Sequence, residues 1–308
     1  MSLDLKVILG TRGSKLALVQ ARYVAEKLRA TGLGVEVRVI RTTSDHLPDT
    51  PLSVIDRRDV FTRQLDEALL SGGVDLAVHS LKDVPTELPE GIELAAVTER
   101  HDPLDALVSE RRHDVDGLPH GAVVATSSLR RRAQLLHRRP DLRISDIRGN
   151  VDTRVRKLRE GEADALVLAR AGLQRLGLDA PHTVISSDMM LPAVGQGALA
   201  VAAREDSPLR ETIREALNHR PTEEAVRAER AMLRTLEGGC RVPVGALGIV
   251  EGNLVRLRGI VASPDGALVY RGEARGEAPE GVGERLAREL LDQGAEVVLG
   301  EIREVRSR

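Results

Sequence analysis

The sequence predicts an α/β protein made of two larger units and a small third one. Three observations predict it. Short apolar or alternating runs, each leading into a stretch of helical spacing, recur through the first part of the chain. The composition changes after Glu99-Arg100-His101-Asp102-Pro103, and the C-terminal part carries three alternating runs and then one helix. The expected division is 1–98 with 198–217 as the first domain, 99–197 as the second and 218–308 as the third.

Leu5 to Leu9 reads as a buried strand, followed by Gly10-Thr11-Arg12-Gly13-Ser14 and a helix with Leu18, Ala21, Ala25 and Leu28 on one face. Ser14 can cap its start and Gly32 close its end. Val35, Val37 and Val39 alternate with Glu36 and Arg38, so a strand follows, and a parallel βαβ beginning is the natural inference. Residues 44–60 have no periodicity and read as a long loop. Phe61, Leu65, Ala68 and Leu69 mark a helix ending at Gly72-Gly73. Val74 to Val78 is a strand that delivers His79-Ser80-Leu81-Lys82-Asp83-Val84-Pro85 to its C-terminal end, the edge where open α/β sheets bind ligands. Ile92 to Val97 is a further strand.

In the second unit Ala106 to Val108 and Val123 to Ala125 read as strands, the latter entering Thr126-Ser127-Ser128 and a helix with Leu129, Ala133 and Leu136 on its face. Arg143 to Ile147 is a strand ending at Arg148-Gly149-Asn150, followed by a helix holding Val151, Val155 and Leu158. Ala165 to Leu168 leads to Ala171-Gly172-Leu173-Gln174-Arg175. The Gly/Pro-punctuated Met189 to Gly197 suits a crossover back to the first domain. Ser207-Pro208 starts a helix with Leu209, Ile213 and Leu217 buried. Thr222 caps the next helix, which runs to Leu236-Glu237-Gly238-Gly239-Cys240. The runs at 246–250, 254–261 and 267–274, then a helix over 282–291 closed by Gly294, describe the small α/β domain with its three-stranded sheet.

The chain is 42% hydrophobic and 30% charged, as a soluble globular protein is, yet it has no Trp, one Phe and two Tyr, so its cores must be aliphatic. No apolar run approaches a membrane span of about 18 residues, and Asp4 and Lys6 stand where a signal peptide needs an apolar block. With one cysteine among 308 residues, the expectation is a cytoplasmic protein with no internal disulfide.

A net charge of −2 gives no global reason to seek nucleic acid, but from Arg130 to Arg159 eleven basic residues face three aspartates, a local excess of eight positive charges. Arg132, Arg138, Arg139, Arg156 and Arg159 read as a solvated face. The scarcity of aromatics for base stacking argues against nucleic acid and for small anions. Two turns share a device: Thr11-Arg12-Gly13-Ser14 and Thr126-Ser127-Ser128 each carry a strand into a helix, where free N–H groups attract anions. Arg12, Arg130 and Arg131 stand beside them, suited to two-point contact with carboxylate or phosphate. Capping explains either turn alone. Both together favour a cleft for something multiply negative.

Lys82-Asp83, with Ser80 beside it, can be a cap or salt-bridge pair, or the acid/base of a reaction. Cys240, after two glycines and beside Arg241, is a small buried hydrophobe or a nucleophile used for attachment. The eight histidines lack ligand spacing and the cysteine has no partner, so no metal site is expected; neither is a nucleotide, since no Walker loop or G-x-G-x-x-G follows a strand.

Taken together and in order, these motifs resemble the porphobilinogen deaminase (hydroxymethylbilane synthase) family across essentially the whole chain. They are Thr11-Arg12-Gly13-Ser14-Lys15-Leu16-Ala17-Leu18, His79 to Pro85, Thr126-Ser127-Ser128-Leu129-Arg130-Arg131, Arg148-Gly149-Asn150-Val151-Asp152-Thr153-Arg154, Leu191-Pro192-Ala193-Val194-Gly195-Gln196-Gly197 and Leu236 to Cys240. The resemblance implies two domains with the two-lobed fold of periplasmic binding proteins and a third carrying the cysteine. It implies a dipyrromethane cofactor held through a thioether on Cys240. Four porphobilinogen units are then added, each losing ammonia, and water releases hydroxymethylbilane, with Asp83 as the catalytic acid.

By position the resemblance assigns Ser80, Lys82, Asp83, Thr126, Ser127, Ser128, Arg130, Arg131 and Gly149 to the cofactor, and Arg12, Ser14, Arg58, Arg148, Arg154, Arg175 and Gln196 to the substrate. Each pyrrole brings an acetate and a propionate, so six rings carry about twelve negative charges and require a basic site. The family's loop commonly reads Gly-Gly-Lys-Gly-Leu-Phe; here it is Asp56-Arg57-Arg58-Asp59-Val60-Phe61, with Arg58 where lysine is usual. The partner is a small molecule, with no nucleic acid and no membrane, and the expected state is a monomer. The alternative is a non-catalytic two-lobed binding protein for an organic polyanion, which leaves Lys82-Asp83 and Cys240 without a task.

Overall fold

The apolar runs of the sequence become three sheets in a computed structural model, which describes residues 6–41, 62–236 and 243–300. Among the described residues the strands in chain order are β1 Lys6–Thr11, β2 Gly34–Val39, β3 Leu76–Ser80, β4 Ile92–Val97, β5 Asp105–Val108, β6 Val123–Ala125, β7 Arg143–Ser145, β8 Ala165–Ala169, β9 His182–Ile185, β10 Leu199–Arg204, β11 Val244–Glu251, β12 Leu254–Ala262 and β13 Val269–Gly276. The helices are α1 Lys15–Arg29, α2 Arg63–Leu70, α3 Leu129–Arg138, α4 Val151–Arg159, α5 Arg170–Leu176, α6 Arg210–Leu217, α7 Arg220–Thr235 and α8 Pro279–Leu290.

The chain divides into two units, Met1–His101 with Ala198–Glu223, and Asp102–Gly197 with Glu224–Arg308. The first is built on a five-stranded sheet of order β2-β1-β3-β10-β4, in which β1, β2 and β3 are parallel and β10 runs antiparallel to both its neighbours. β3 is the middle strand, and Leu76, Ala77, Val78 and His79 are all buried, as a strand covered on both faces must be. α1 turns Ala21, Val24, Ala25 and Leu28 onto this sheet at helical spacing, and all four are fully buried.

The second unit repeats the arrangement in the order β7-β6-β8-β5-β9, with β6, β7 and β8 parallel and β5 antiparallel to both its neighbours. Two like sheets are what the resemblance implies. In each, one strand is supplied from across a crossing of the chain: β10 follows the 189–197 segment, and β5 follows the 99–103 segment. The strands β9 and β10 go beyond the elements expected from the sequence. α3 buries Ala133 as expected, but with it Arg130, Arg131, Gln134 and Leu135, while Leu129 and Leu136 are only half-buried. The arginines can turn inward because a buried carboxylate meets them, as described below.

Also within the second unit, β11, β12 and β13 form an antiparallel meander. α7 and α8 supply Met232, Leu236, Val282, Leu286 and Leu290 to its separate aliphatic core. This is the small third α/β domain. No helix among the described residues is long and apolar enough to cross a membrane.

Candidate active site

Among the described residues, those of the 11–14, 80–83, 126–128 and 148–149 turns follow the C-terminal ends of parallel strands, two turns in each large sheet. In the first unit, β1 ends at Thr11 and passes Arg12 and Ser14 into α1, while β3 ends at Ser80 and passes into a single 3₁₀ turn, Leu81–Asp83. Ser14 does cap α1, accepting from the Ala17 N–H at 3.3 Å. The Thr11 hydroxyl donates to the Ala17 carbonyl at 3.2 Å. Ser80 accepts a 2.8 Å hydrogen bond from the Gln20 amide on α1, so the strand end and the helix are fixed to each other. The turn leaves Asp83 exposed and Lys82 half-buried while Leu81 anchors it in the core. An exposed carboxylate on a rigid strand end is the geometry a general acid or a stabiliser of a passing cation needs.

His79, directly before this turn, is buried. Burial pushes its imidazole down to about 4, against the opposing pull of Asp83, and Arg12 adds to the lowering. At neutral pH it is therefore uncharged, and it lies within electrostatic reach of both Asp83 and Arg12. In sequence His79 stands at the head of the His79 to Pro85 motif but carries no assigned role of its own.

In the second unit the edge after β6 holds Thr126, Ser127 and Ser128. Ser128 caps α3 through a weak 3.5 Å contact from the Arg131 N–H, and Thr126 accepts from the Ser128 N–H at 3.2 Å. Ser127 exchanges two bonds with the Ile147 backbone, donating to its carbonyl at 2.7 Å and accepting from its N–H at 3.1 Å. Ser127 thus staples the edge after β6 to the edge after β7. Thr126 and Ser128 accept through their oxygens, which leaves their O–H groups to donate.

Arg130 and Arg131, 5% and 6% exposed, converge on Asp105, which is fully buried. Arg130 Nη1 donates to Asp105 Oδ2 at 2.8 Å and to the Leu191 carbonyl at 2.7 Å. Arg131 donates from Nε and Nη2 to Asp105 Oδ1 at 3.1 and 2.8 Å, and from Nη1 to the Val167 carbonyl at 3.0 Å. Gln196 joins the same oxygen at 2.9 Å and also donates to the Pro103 carbonyl at 2.7 Å. Burial alone would raise the Asp105 carboxyl, but the two guanidinium charges and their hydrogen bonds outweigh it and hold the group well below the usual carboxylate range. Burial also lowers Arg130, with Asp105 opposing. Two guanidinium groups and one carboxylate make a buried cluster of net charge +1, a favourable place for a further anion.

Past β7, Gly149 adopts φ +105°, and a Cβ there would fall 2.7 Å from Thr153 Cγ2, so this turn requires glycine. Arg148 is half-buried on the same edge, and Arg154 donates from Nε to the Gly149 carbonyl at 2.8 Å. Arg175, on the helix after β8, donates to the Gly197 carbonyl at 2.7 Å. Not all of the basic run is solvated. Arg139 is half-buried and donates to the Val115, Asp116, Leu118 and Pro119 carbonyls as well as to Asp141, so it organises a loop. Arg132, Arg138, Arg156 and Arg159 are exposed as expected. Cys240, Arg58 and Phe61 lie outside the described residues.

The sequence reading missed Asp105 and Gln20. An acid at the head of the apolar Ala106-Leu107-Val108 run was the available signal for Asp105, since a buried carboxylate demands a cationic partner.

Each unit thus ends parallel strands in hydroxyl-bearing turns with arginines and a helix N-terminus beside them, and the first adds an exposed acid: an α/β protein whose strand ends carry the groups that bind anions. A family model described as "Porphobilinogen deaminase, dipyromethane cofactor binding domain" matches residues 7–212, and one described as "Porphobilinogen deaminase, C-terminal domain" matches residues 223–292. A porphobilinogen deaminase from Rubrobacter xylanophilus is 68% identical over 98% of this chain and 99% of its own, and one from Pelotomaculum thermopropionicum is 49% identical over the same shares. The chain belongs to the porphobilinogen deaminase family. Its function is that of a transferase of tetrapyrrole biosynthesis with a dipyrromethane cofactor. Among solved structures, a periplasmic substrate-binding protein from Coxiella burnetii is 18% identical, with a TM-score of 0.44 over 73% of this chain and 96% of that one.

Proposed function

We propose that this enzyme joins four porphobilinogen molecules, with loss of ammonia, onto a dipyrromethane primer tethered to Cys240, and releases hydroxymethylbilane by hydrolysis. The observation that carries the reading is the buried Asp105–Arg130–Arg131 cluster with its net positive charge beside the Thr126–Ser128 turn. Its chemistry fits a cofactor rich in carboxylates: two guanidinium groups, one counter-charge, and two hydroxyls free to donate. When bound, the dipyrromethane would supply the free terminal pyrrole carbon to which the first of the four rings couples.

The chain's own residues divide the remaining work. Arg130, Arg131, Lys82, Ser80, Thr126, Ser127, Ser128 and Gly149 hold the primer; Arg12, Ser14, Arg58, Arg148, Arg154, Arg175 and Gln196 receive substrate carboxylates. Asp83, exposed on its turn, assists departure of ammonia, steadies the cationic nitrogen and helps remove the ring proton after coupling. Neutral His79 beneath the turn puts no second positive charge beneath this acid. The separate cores of the two large sheets and the small one support a three-domain division at 1–98 with 198–217, 99–197 and 218–308. The protein acts as a cytoplasmic monomer on a small pyrrole substrate.

Incubation with porphobilinogen tests this reading. Ammonia release, later porphyrin absorbance, and an intact mass raised by one dipyrromethane on Cys240 are expected. Asp83→Asn should lose nearly all turnover with its melting transition unchanged. An active enzyme with unmodified Cys240 sinks the tether, and near-normal Asp83→Asn rates remove Asp83 from the chemistry.

A further inference from the structure

The mechanism leaves one arginine at a strand end unused. β3 and β8 are the middle strands of the two large sheets, and the chain builds them alike. Asp75, just before β3, accepts the Ile8 N–H at 2.7 Å, and Asp164, just before β8, accepts the Val123 N–H at 2.7 Å. Each strand then runs for five residues, Leu76–Ser80 in one and Ala165–Ala169 in the other. In the first unit the Leu81–Asp83 turn follows, with the reactive acid. In the second unit Arg170 follows, as the first residue of α5.

Ala169 pairs with Asp105, and the Arg170 N–H donates to the Leu104 carbonyl at 3.0 Å, so Arg170 is set beside the head of β5, whose first residue belongs to the buried cluster. The Arg170 side chain is 33% exposed. Its Nη1 donates to Asp102 Oδ2, and Asp102 is held in turn by the Leu104 N–H, which donates to Oδ1 at 2.8 Å. Its Nε is shielded from water and has no hydrogen-bond partner among the described residues. A guanidinium carries five N–H donors, and an arginine that serves the fold spends them. Arg139 bonds four backbone carbonyls and both Asp141 oxygens, and Arg131 donates from all three guanidinium nitrogens. Arg170 commits only its bond to Asp102. Its exposed part and uncommitted donors suit a second carboxylate. Because Asp102 already offsets the charge, a carboxylate received there is held loosely, as suits an enzyme that must release a product rich in carboxylates.

We propose that Arg170 is a further substrate-binding residue: it receives a carboxylate of the pyrrole substrate, and Asp102 is the resident counter-charge that weakens its hold. The proposal rests on the reading of the enzyme as one that joins porphobilinogen. Binding here exchanges ionic partners and makes or breaks no covalent bond.

The test is steady-state turnover of porphobilinogen by the holoenzyme, with KM and kcat taken separately. Arg170→Gln removes the charge and should raise KM by about tenfold while changing kcat by less than about twofold. Asp102→Asn keeps the acceptor for the Leu104 N–H but leaves Arg170 without its counter-charge, and should lower KM by about threefold. Arg170→Lys keeps a charge without the planar fork and should fall between wild type and Arg170→Gln. Arg170→Gln and Asp102→Asn break the same ion pair, so a merely structural role would lower both melting temperatures and move KM in one direction or not at all. Shifts of KM with the same sign, or a wild-type KM in either variant, overturn the inference. If circular dichroism shows Arg170→Gln to be unfolded, Arg170→Lys and Asp102→Asn carry the test, with shifts of opposite sign again expected. Wild-type holoenzyme that releases no ammonia from porphobilinogen refutes instead the reading on which the inference rests.

Discussion

Asp105→Asn removes one negative charge and leaves the shape of the side chain intact, which makes it the most direct probe of the buried cluster. The wild-type carboxylate accepts three guanidinium hydrogen bonds, at 2.8, 2.8 and 3.1 Å, and one from Gln196 at 2.9 Å. In the variant an amide N–H₂ must face one of these donors, and two guanidinium groups remain buried without a counter-charge. Breaking a buried ion pair from one side costs about 3 to 5 kcal/mol. At roughly 2 to 4 °C per kcal/mol for a chain of this size, the melting temperature should fall by about 6 to 20 °C. The control is Asp116→Asn, which breaks an equally short two-point pair with Arg138, at 2.9 and 2.8 Å, on the surface. There both side chains are about half exposed, so solvent screens the pair and the fall in melting temperature should be much the smaller of the two. Thermal unfolding of both variants, monitored by circular dichroism at pH 7, reads the difference. Equal shifts for Asp105→Asn and Asp116→Asn would refute the reasoning, because they would mean that burial adds nothing to the cost of the unpaired charge.

Two further outcomes are expected. The unfolded imidazole of His79 titrates near 6.5 and the folded one at about 4, so the unfolded state binds more protons between these values, and stability should rise with pH across them by up to roughly 3 kcal/mol. Asp66, pushed up to about 6 by burial, acts with the opposite sign from pH 3.8 to 6, so the effect is read as the difference between wild type and His79→Gln in urea melts; a difference that does not change with pH excludes it. Gly283→Ala gains about 1 kcal/mol of helix propensity but puts a Cβ 2.2 Å from the Ala228 carbonyl, an overpacking that costs about 3 kcal/mol at the upper end of the usual range, so it should destabilise by about 2 kcal/mol net in denaturant titration. A neutral or stabilising result would show that α7 and α8 can part without cost.

Much of the fold was legible because its signals are local. Alternation in Val35, Val37 and Val39 and the apolar run at Ala165 to Leu168 mark strands whatever surrounds them. So do the hydroxyls of Ser14 and Ser128, which cap the helices they precede. What escaped depends on partners far away in sequence. Leu199 to Arg204 is a short run rich in alanine, compatible with helix or strand, and it becomes β10 only because β3 and β4 present free edges on either side. His182 to Ile185 has a single buried residue and pairs on one side only. The apolar face expected for α3 is Leu129, Ala133 and Leu136, by the rule that apolar residues face inward, and only Ala133 is fully buried. The rule failed because Asp105, 25 residues earlier than Arg130, compensates two arginines that would otherwise have stayed in water.

The same non-local logic explains why the site's supports were harder to see than its reactive groups. Asp83 announces itself because it ends a buried strand, and sequence order alone places it on an edge. Asp105 and Gln196 stand instead beside two of the places where the chain leaves and re-enters the second unit, after His101 and before Ala198. A strand inserted antiparallel into a parallel sheet has no helix of its own crossing to hold it, so its register depends on what fixes its ends. For β5 that fixing is polar: the Asp105 carboxylate at its first residue binds Arg130 and Arg131 on α3, and through Gln196 binds the returning segment. The arginines that read as ligand contacts are therefore also the anchors of the fold. A substitution at either cannot be assigned to binding until its effect on stability has been measured, whereas Arg12 and Arg154, outside this buried cluster, can be read for activity more directly.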